Sequence, residues 1–417
     1  MPFQRYVLQG DLTAYIQRWT GTLSKQVSGG SGNEQRLFPF LSPTVQNDYE
    51  YGGALNGTVT KTTSTTYSYG DGFGNLTQVA TSITDKDSSS PYFNLTWQSV
   101  VNNTYLNDNT SVWCLGLPTV TTVQNSAPSQ TTQTRTYNYT PDSNHALCRE
   151  QQQIIEPSTA PLTVTTDLQF DSCGNINSIK ITGHNPDGSQ MPSPRQTTVD
   201  YGTRCQLPEL VTNALIQKTK FGYRYDFGLV NQVTDPNNVV ASRAYDDFGR
   251  ISQVTRADGT YSIYTPYLCS TGCGGPPDLR FSVYRDDYGT DGIKAYSDCL
   301  YWDGLGRQRY DITTHAFGRL VYDEVVLFDS LGRRTAQYQP FASSPNGYLG
   351  FLYDPLNRLD AARLIRPDNT VDRTVTIGYG GRTVQMTDPL SHTETYISDV
   401  MGRLRQVKDP PSSATTL

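Results

Sequence analysis

The stretch FDSLGRR, residues 328–334, sets an acid and two arginines around a glycine, so Asp329 could act as a catalytic acid and Arg333 as an anion clamp. Two carboxylate pairs, Asp246/Asp247 and Asp286/Asp287, have the residue types that glycosidases use. Four histidines, His145, His184, His315 and His392, are the remaining candidates for proton transfer. Cys269 and Cys273, in CSTGCGGPP, have the spacing of half a zinc site or of a local disulfide.

None of these groups has the company that its chemistry needs. Adjacent residues of a strand point to opposite faces, so the paired aspartates are poor partners for one substrate and read better as turn formers. The histidines lie in loop-like or turn-like contexts with no nucleophile arrangement around them. The chain contains no GxSxG, HExxH or P-loop pattern, and Gly274 and Gly275 precede two prolines and read as a loop. A zinc site needs four ligands, and no second Cys/His pair lies near Cys269 and Cys273. Seven cysteines are an odd count without the spacing of a small disulfide scaffold. Unpaired structural thiols are therefore the expectation, with a local disulfide as the competing reading. No catalytic residue, metal site or cofactor is expected.

Recurrence decides what the stretch at Asp329 means. The same pattern, D-x-x-[G/N]-[R/N], occurs as DGFGN from Asp71, DSCGN from Asp171, DDFGR from Asp246, DGLGR from Asp303, DSLGR from Asp329, DPLNR from Asp354 and DVMGR from Asp399. Looser copies are YDFG (225–228) and HAFGR (315–319), and Tyr or Phe usually comes just before the Asp. Asp at the first position of a type I turn accepts hydrogen bonds from backbone N–H groups ahead of it. The fourth residue then takes a left-handed conformation and closes a hairpin through a bulge. Glycine fills that position at Gly74, Gly174, Gly249, Gly306, Gly332 and Gly402, and Asn, the best tolerated substitute, fills it at Asn357. Such an exchange suits a conformational requirement and not a catalytic one. Arg250, Arg307, Arg333, Arg358 and Arg403 end the turns, where packing against Tyr or Asp is expected.

The flanking residues read as strands. ISQVT (251–255), RTAQYQ (334–339) and TETYIS (393–398) alternate with period two, and the chain has 28 Tyr against 14 Phe with abundant Thr. A second set of turns, TDPNN (234–238), ADGT (257–260), RPDNT (366–370), TDPLS (387–391) and KDPP (408–411), closes the other ends of the strands. The expected fold is all-β: a meander of β-hairpins that must curve or spiral into a shell-like strip to bury a face and protect its edges. Residues 1–60 are expected to form an N-terminal segment with a flexible SGGSGN stretch (28–33), residues 61–212 a degenerate repeat region and residues 213–417 a dense one. The stretch 258–300 is expected to hold longer loops.

A net charge of −6 with singly scattered Lys and Arg excludes a basic nucleic-acid footprint. No apolar run reaches the length of a membrane span, and the first residues lack a secretory signal pattern. Sequons at Asn94, Asn102 and Asn109 matter only in a eukaryotic secretory setting.

The series AYDDFGRISQVTRADGT (244–260), YWDGLGRQ (301–308), LFDSLGRR (327–334), YDPLNRLDAARL (353–364) and TDPLSHTETYISDVMGRLRQVKDP (387–410) resembles the RHS/YD-repeat family, whose members include bacterial Rhs toxins, B and C components of Tc toxin complexes and animal teneurins. RLFPFLSP (36–43) and WCLGLPTVTTV (113–123) resemble the region that follows a propeller in long members. The resemblance implies a β-sheet strip wound spirally into a hollow shell that, in the toxins, encloses a C-terminal toxic domain. The quoted segments include no propeller, autocleavage core or toxin tip, so a shell segment of something longer is expected. The expected partners are neighbouring shell segments or an encapsulated toxin domain, with cell-surface glycans as partners of an alternative adhesion or carbohydrate-binding role, and the expected location is secreted or cell surface.

Overall fold

β-Branched and aromatic side chains fill a pleated surface, and a turn signal every few residues leaves no length for anything but short strands. The computed structural model describes residues 2–8, 15–28, 36–50, 53–108, 110, 112–142, 147–185, 187–269, 278–314 and 320–410. These form 29 strands, from β1 (Pro2–Leu8) to β29 (Leu404–Lys408), and the only helical pieces among them are the 3-10 turns Gly53–Leu55 and Ala160–Leu162. Every strand pairs antiparallel with its neighbours in sequence, so the whole is one uninterrupted meander. No described pairing joins β1 to β29, so the sheet is open.

A meander sorts its turns onto two edges. The seven D-x-x-[G/N]-[R/N] turns all follow even-numbered strands and therefore share one edge, called here the arginine edge. Turns at Asp235, Asp258, Asp368 and Asp388 follow odd-numbered strands and share the opposite edge. HAFGR (315–319) and most of SGGSGN and CSTGCGGPP lie outside the described residues.

The stretch 258–300 is not loop. Tyr261–Leu268, Leu279–Tyr288 and Lys294–Asp303 are strands of 8, 10 and 10 residues. Pro266 disguises the first of them, yet it pairs with Val283 inside the ladder. The N-terminal 60 residues likewise carry β1, Tyr15–Ser28 (β2) and Arg36–Tyr49 (β3).

The strip is one layer thick. Its accessible surface is 25535 Å², against roughly 16,000 Å² for a compact monomer of this mass. Fully buried apolar side chains are few, Leu279 and Val326 being the largest. Cross-strand pairs supply what a core would otherwise give. Tyr261 stacks on Tyr288 and Tyr322 on Phe341, each with ring centroids 4.9 Å apart. Such pairs add about 0.5–1.5 kcal/mol beyond area burial. Threonine hydroxyls bond across strands at Thr84–Thr96 (2.9 Å) and Thr387–Thr393 (2.8 Å).

The strip returns onto itself. The turn between β24 (Tyr348–Tyr353) and β25 (Leu359–Ile365) meets the turn between β3 and β4 (Val59–Ser68). The turn between β26 (Val371–Gly380) and β27 (Thr383–Thr387) meets the one between β5 (Gln78–Asp85) and β6 (Thr96–Asp108). The turn between β28 (Thr393–Ser398) and β29 shares a groove with the one between β7 (Cys114–Ser126) and β8 (Gln133–Pro141). These three arginine-edge turns thus each sit on the opposite-edge turn 21 strands earlier, as 24 to 3, 26 to 5 and 28 to 7. At the usual spacing between strands one circuit is about 100 Å around and about 30 Å across, which leaves a lumen of about 20 Å between side-chain tips.

Candidate functional site

The repeated turns share one hydrogen-bond scheme. In the Asp329 copy the backbone N–H groups of Leu331 and Arg333 donate to Asp329 Oδ1, both at 2.9 Å, and Arg333 Nε donates to Oδ2 at 2.7 Å. Gly332 N–H donates to the Asp329 carbonyl at 3.0 Å. The same set of contacts recurs from Asp246, Asp303, Asp354 and Asp399, and with Asn in place of Arg from Asp171; the Asp71 copy keeps the side-chain bonds, also with Asn, without the bond from the Gly74 N–H to the Asp71 carbonyl. The fourth residue has positive φ in every copy: Gly74, Gly174, Gly249, Gly306, Gly332, Gly402 and also Asn357, at +63°. Register shifts in the ladder fall beside the turns, at Phe328 and Tyr353 for example. The opposite edge uses the same scheme where Asp leads: Asp388 accepts from Leu390 and His392 N–H at 2.8 Å, with Ser391 at φ +68°.

A Cβ on Gly332 would meet only Arg307 Nη1, at 3.4 Å, so its conformation and not its surroundings demands glycine. Gly332→Val is expected to lower stability by about 1–3 kcal/mol in urea unfolding. Gly332→Asn should lose well under half of that, because Asn357 already occupies the equivalent place.

Adjacent arginine-edge turns are tied sideways. The Arg307 guanidinium lies 4.6 Å over the ring of Phe328, Arg333 4.8 Å over Tyr353 and Arg358 4.2 Å over Tyr379. Each such pair contributes about 0.5–2 kcal/mol. Arg333 Nη1 also donates to Asn357 Oδ1 at 2.8 Å. Arg250 departs from the ladder and lies over Phe248 of its own turn.

The expectation of unpaired thiols is wrong for most cysteines. Cys114–Cys148 and Cys173–Cys205 are disulfides with Cα atoms 5.2 and 6.1 Å apart, and Cys269 is disulfide-bonded as well. Cys273 lies outside the described residues; Cys299 is a buried free thiol. The bonded sulfurs sit in successive turns of the arginine edge, so residues 34 and 32 apart in sequence become neighbours. Closing loops of that length stabilises the chain by about 3–4 kcal/mol each in the chain-entropy model.

The seam is where distant sequence meets. Arg358 Nη2 and Nη1 donate to Glu50 Oε1 and Oε2 at 2.6 and 3.2 Å. Gly381 N–H donates to Glu50 Oε2 at 3.2 Å, and Arg382 N–H to Asp87 Oδ2 at 2.8 Å. Arg382 Nη2 reaches the Thr60 carbonyl at 2.8 Å. Asp85 and Asp87 are fully buried and Glu50 is 5% exposed. Beyond them a groove is lined by Trp97, Gln98, Asn125, Gln133, Met401 and Arg403. No local pattern announces this seam.

The groups that suggested chemistry are dispersed. Asp286 bonds Ser297 Oγ at 2.5 Å, while Asp287 lies against Arg256 and Arg285, and their strand partners place them on opposite faces. Asp246 caps its turn and Asp247 is exposed. His184 Nδ1 lies 3.3 Å from the Thr163 carbonyl and His392 Nδ1 3.1 Å from Asp388, in an exposed turn; His145 and His315 lie outside the described residues. Asp171, Cys173 and Cys205 bring ligand atoms within 4.8 Å of one another. The two sulfurs are joined, however, and the carboxylate is already held by Cys173 and Asn175, so this donor set does not suit a metal.

The carboxylates divide into two electrostatic classes. At Asp71, Asp171, Asp246, Asp303, Asp329 and Asp399 burial pushes the carboxyl up, but turn N–H groups and the facing Asn or Arg outweigh it and hold the group below the ordinary aspartate range. Asp298 and Asp311 are pushed above that range by burial. Arg285, 3.1 Å from Asp298, counters this in part, and the neighbouring carboxylates Asp287, Asp311, Asp323 and Glu324 reinforce it. Asp298 Oδ1 has no hydrogen-bond partner. A raised folded pKa costs stability at neutral pH that is recovered on acidification toward the ordinary value. A lowered one contributes stability that is lost below that value. The melting temperature is therefore expected to rise on mild acidification and to fall steeply below the ordinary aspartate value of about 3.8. Asp298→Asn should reduce the rise and Asp329→Asn the fall.

Comparison with known proteins agrees with this geometry. The RHS repeat family profile matches residues 219–261. No curated protein sequence matches the chain. The crystal structure of TcdB2-TccC3 without its hypervariable C-terminal region is similar over 97% of this chain and 30% of its own, with TM-score 0.61 and 11% identity. TcdB2-TccC3-Cdc42 is similar over 95% of this chain and 30% of its own, with TM-score 0.60 and 11% identity. A Photorhabdus luminescens Tc holotoxin pore is similar over 96% of this chain and 21% of its own, with TM-score 0.50 and 12% identity. At such identities the likeness is one of fold, and this chain spans less than a third of the length of the structures it matches. No helix among the described residues is long and apolar enough to cross a membrane.

Proposed function

We propose, from the RHS repeat profile match at 219–261 and the fold shared with TcdB2-TccC3, that this chain is an RHS/YD-repeat protein and a non-enzymatic wall segment of a hollow β-shell in a toxin-type or cell-surface assembly. The observation that carries this reading is the seam: a one-layer strip of 29 strands overlaps its own start with an offset of 21 strands, and so encloses space instead of filling it. The seven repeat turns supply geometry: Asp71, Asp171, Asp246, Asp303, Asp329, Asp354 and Asp399 cap hairpins, and the residues at their fourth and fifth positions bend and link them. A lumen of about 20 Å admits an extended chain or a helix but not a folded domain of 100 residues, whose diameter is about 30–35 Å. The wall therefore suits a cargo held unfolded. Its disulfides fit an oxidising, exported setting.

The reading is tested by joining a protease-sensitive passenger to residue 417. Protection of that passenger, lost when Glu50→Gln weakens the seam, supports the shell; cleavage at the same rate with and without the intact wall contradicts it. The exposed tyrosines keep the adhesion or carbohydrate-binding alternative in play, and specific binding on a glycan array would favour it over the wall.

A further inference from the structure

The disulfides Cys114–Cys148 and Cys173–Cys205 differ in access. Cys114 is fully buried, whereas Cys173 is exposed and Cys205 half-buried. The accessible bond lies beside the least supported strand of the sheet. That strand, β13 (Leu210–Thr212), is the shortest among the described residues, meets each neighbour through three residue pairs and contains no buried residue. The loop 201–209 leads into it from β12 (Arg195–Asp200) and carries Cys205 at φ +56°, a left-handed conformation that a residue with a Cβ adopts uncommonly. Toward β14 (Lys218–Arg224) the loop is held by Tyr223 Oη, which donates to the Pro208 carbonyl at 2.7 Å, and by Arg204, 4.1 Å over the Tyr225 ring. Toward the turn at Asp171 it is held by the disulfide and by a hydrogen bond from Asn175 Nδ2 to the Cys205 carbonyl at 2.9 Å. The turns at Asp303, Asp329 and Asp354 are tied to the next turn by an arginine over a ring, which no reductant breaks. The turn at Asp171 ends in Asn175 and has a reducible tie in that place.

We propose that Cys173–Cys205 is a redox latch on the wall, shut in an oxidising medium and opened by a dithiol, and that its opening frees β12 and β13 and breaches the wall there. This inference rests on the shell reading and adds its regulation. The chemistry is thiol–disulfide exchange. A thiolate of the dithiol attacks Cys173 Sγ, the accessible sulfur; the S–S bond breaks, and Cys205 leaves as a thiolate and takes up a proton. The second thiol of the reductant then attacks its own bound sulfur and frees Cys173. The dithiol ends as a disulfide, and two electrons have passed to the chain. The neighbouring ladders are short, so their local opening is what the bond restrains.

Titration of the full chain with dithiothreitol, read by alkylation and peptide mass mapping, tests the proposal. Cys173 and Cys205 are expected to be labelled at a reductant concentration at least about tenfold below that which labels Cys114 and Cys148. With the latch alone open, hydrogen exchange at 196–212 should quicken about tenfold or more while 348–380 stays protected. The double variant Cys173→Ser with Cys205→Ser should show the same local loss without reductant; the titration needs no variant and decides the matter even if that chain does not fold. Simultaneous labelling of all four cysteines overturns the proposal. So does an open latch with unchanged exchange at 196–212, or with protection lost throughout the sheet, which would make the bond a general staple. With the passenger joined to residue 417, protection before reduction and cleavage after it supports the latch, and protection that outlasts reduction overturns it. Cleavage already before reduction would fail the shell reading, while the exchange measurement judges the latch by itself.

Discussion

Gly381→Ala is expected to pry the seam open and to cost about 3 kcal/mol or more, since it adds a strained left-handed residue to a displaced buried carboxylate. Gly381 has φ +58°, and a Cβ built there would overlap the Asp87 carboxylate and come within 2.9 Å of Leu55 Cδ1. Asp87 is fully buried and holds Arg382 N–H, so it cannot move aside without losing that bond. Gly380 is the control. It has an ordinary φ, and a Cβ added to it would find nothing within 4 Å, so Gly380→Ala should change stability by less than about 1 kcal/mol. Thermal melting compares the two variants. Hydrogen exchange locates the loss, which should appear at residues 85–97 on the far side of the seam as well as at 380–383.

Asp399→Ala is expected to cost about 2–3 kcal/mol, whereas Asp246→Ala in the same motif should cost about 1 kcal/mol. The difference comes from surroundings alone. Asp399 is fully buried and accepts from Met401 and Arg403 N–H and from the guanidinium groups of both Arg403 and Arg405. Its removal leaves two cations facing each other over an unfilled acceptor site. Asp246 holds the single Arg250 at an exposed turn, and water replaces it readily. Equal costs for the two substitutions in chemical denaturation would contradict this account of where the repeat is structurally critical.

What could be read in the sequence was local. An Asp that bonds N–H groups two and four residues ahead leaves its mark within five positions, so all seven turns and the Asn357 exchange are visible there. The assignment of turn sets to two edges follows from alternation alone. The seam is invisible for the opposite reason: Glu50 and Arg358 are 308 residues apart, and neither lies in a pattern that names the other. The disulfides were missed because Cys173 and Cys205 are neighbours only along an edge, in turns two strands apart, and not along the chain. The strands within 258–300 were missed because Pro266 and the Asp-Gly turn at Asp291 interrupt a period-two pattern that the ladder carries through.

Small-angle X-ray scattering from the full chain addresses the central claim most directly. A wall that runs once around and overlaps itself predicts the distance distribution of a hollow ring, with few vectors at short range for its mass and a maximum displaced toward a diameter of about 30–40 Å between opposing walls. The distribution of a solid particle, bell-shaped and fitted by a filled body of 46.3 kDa, would contradict it.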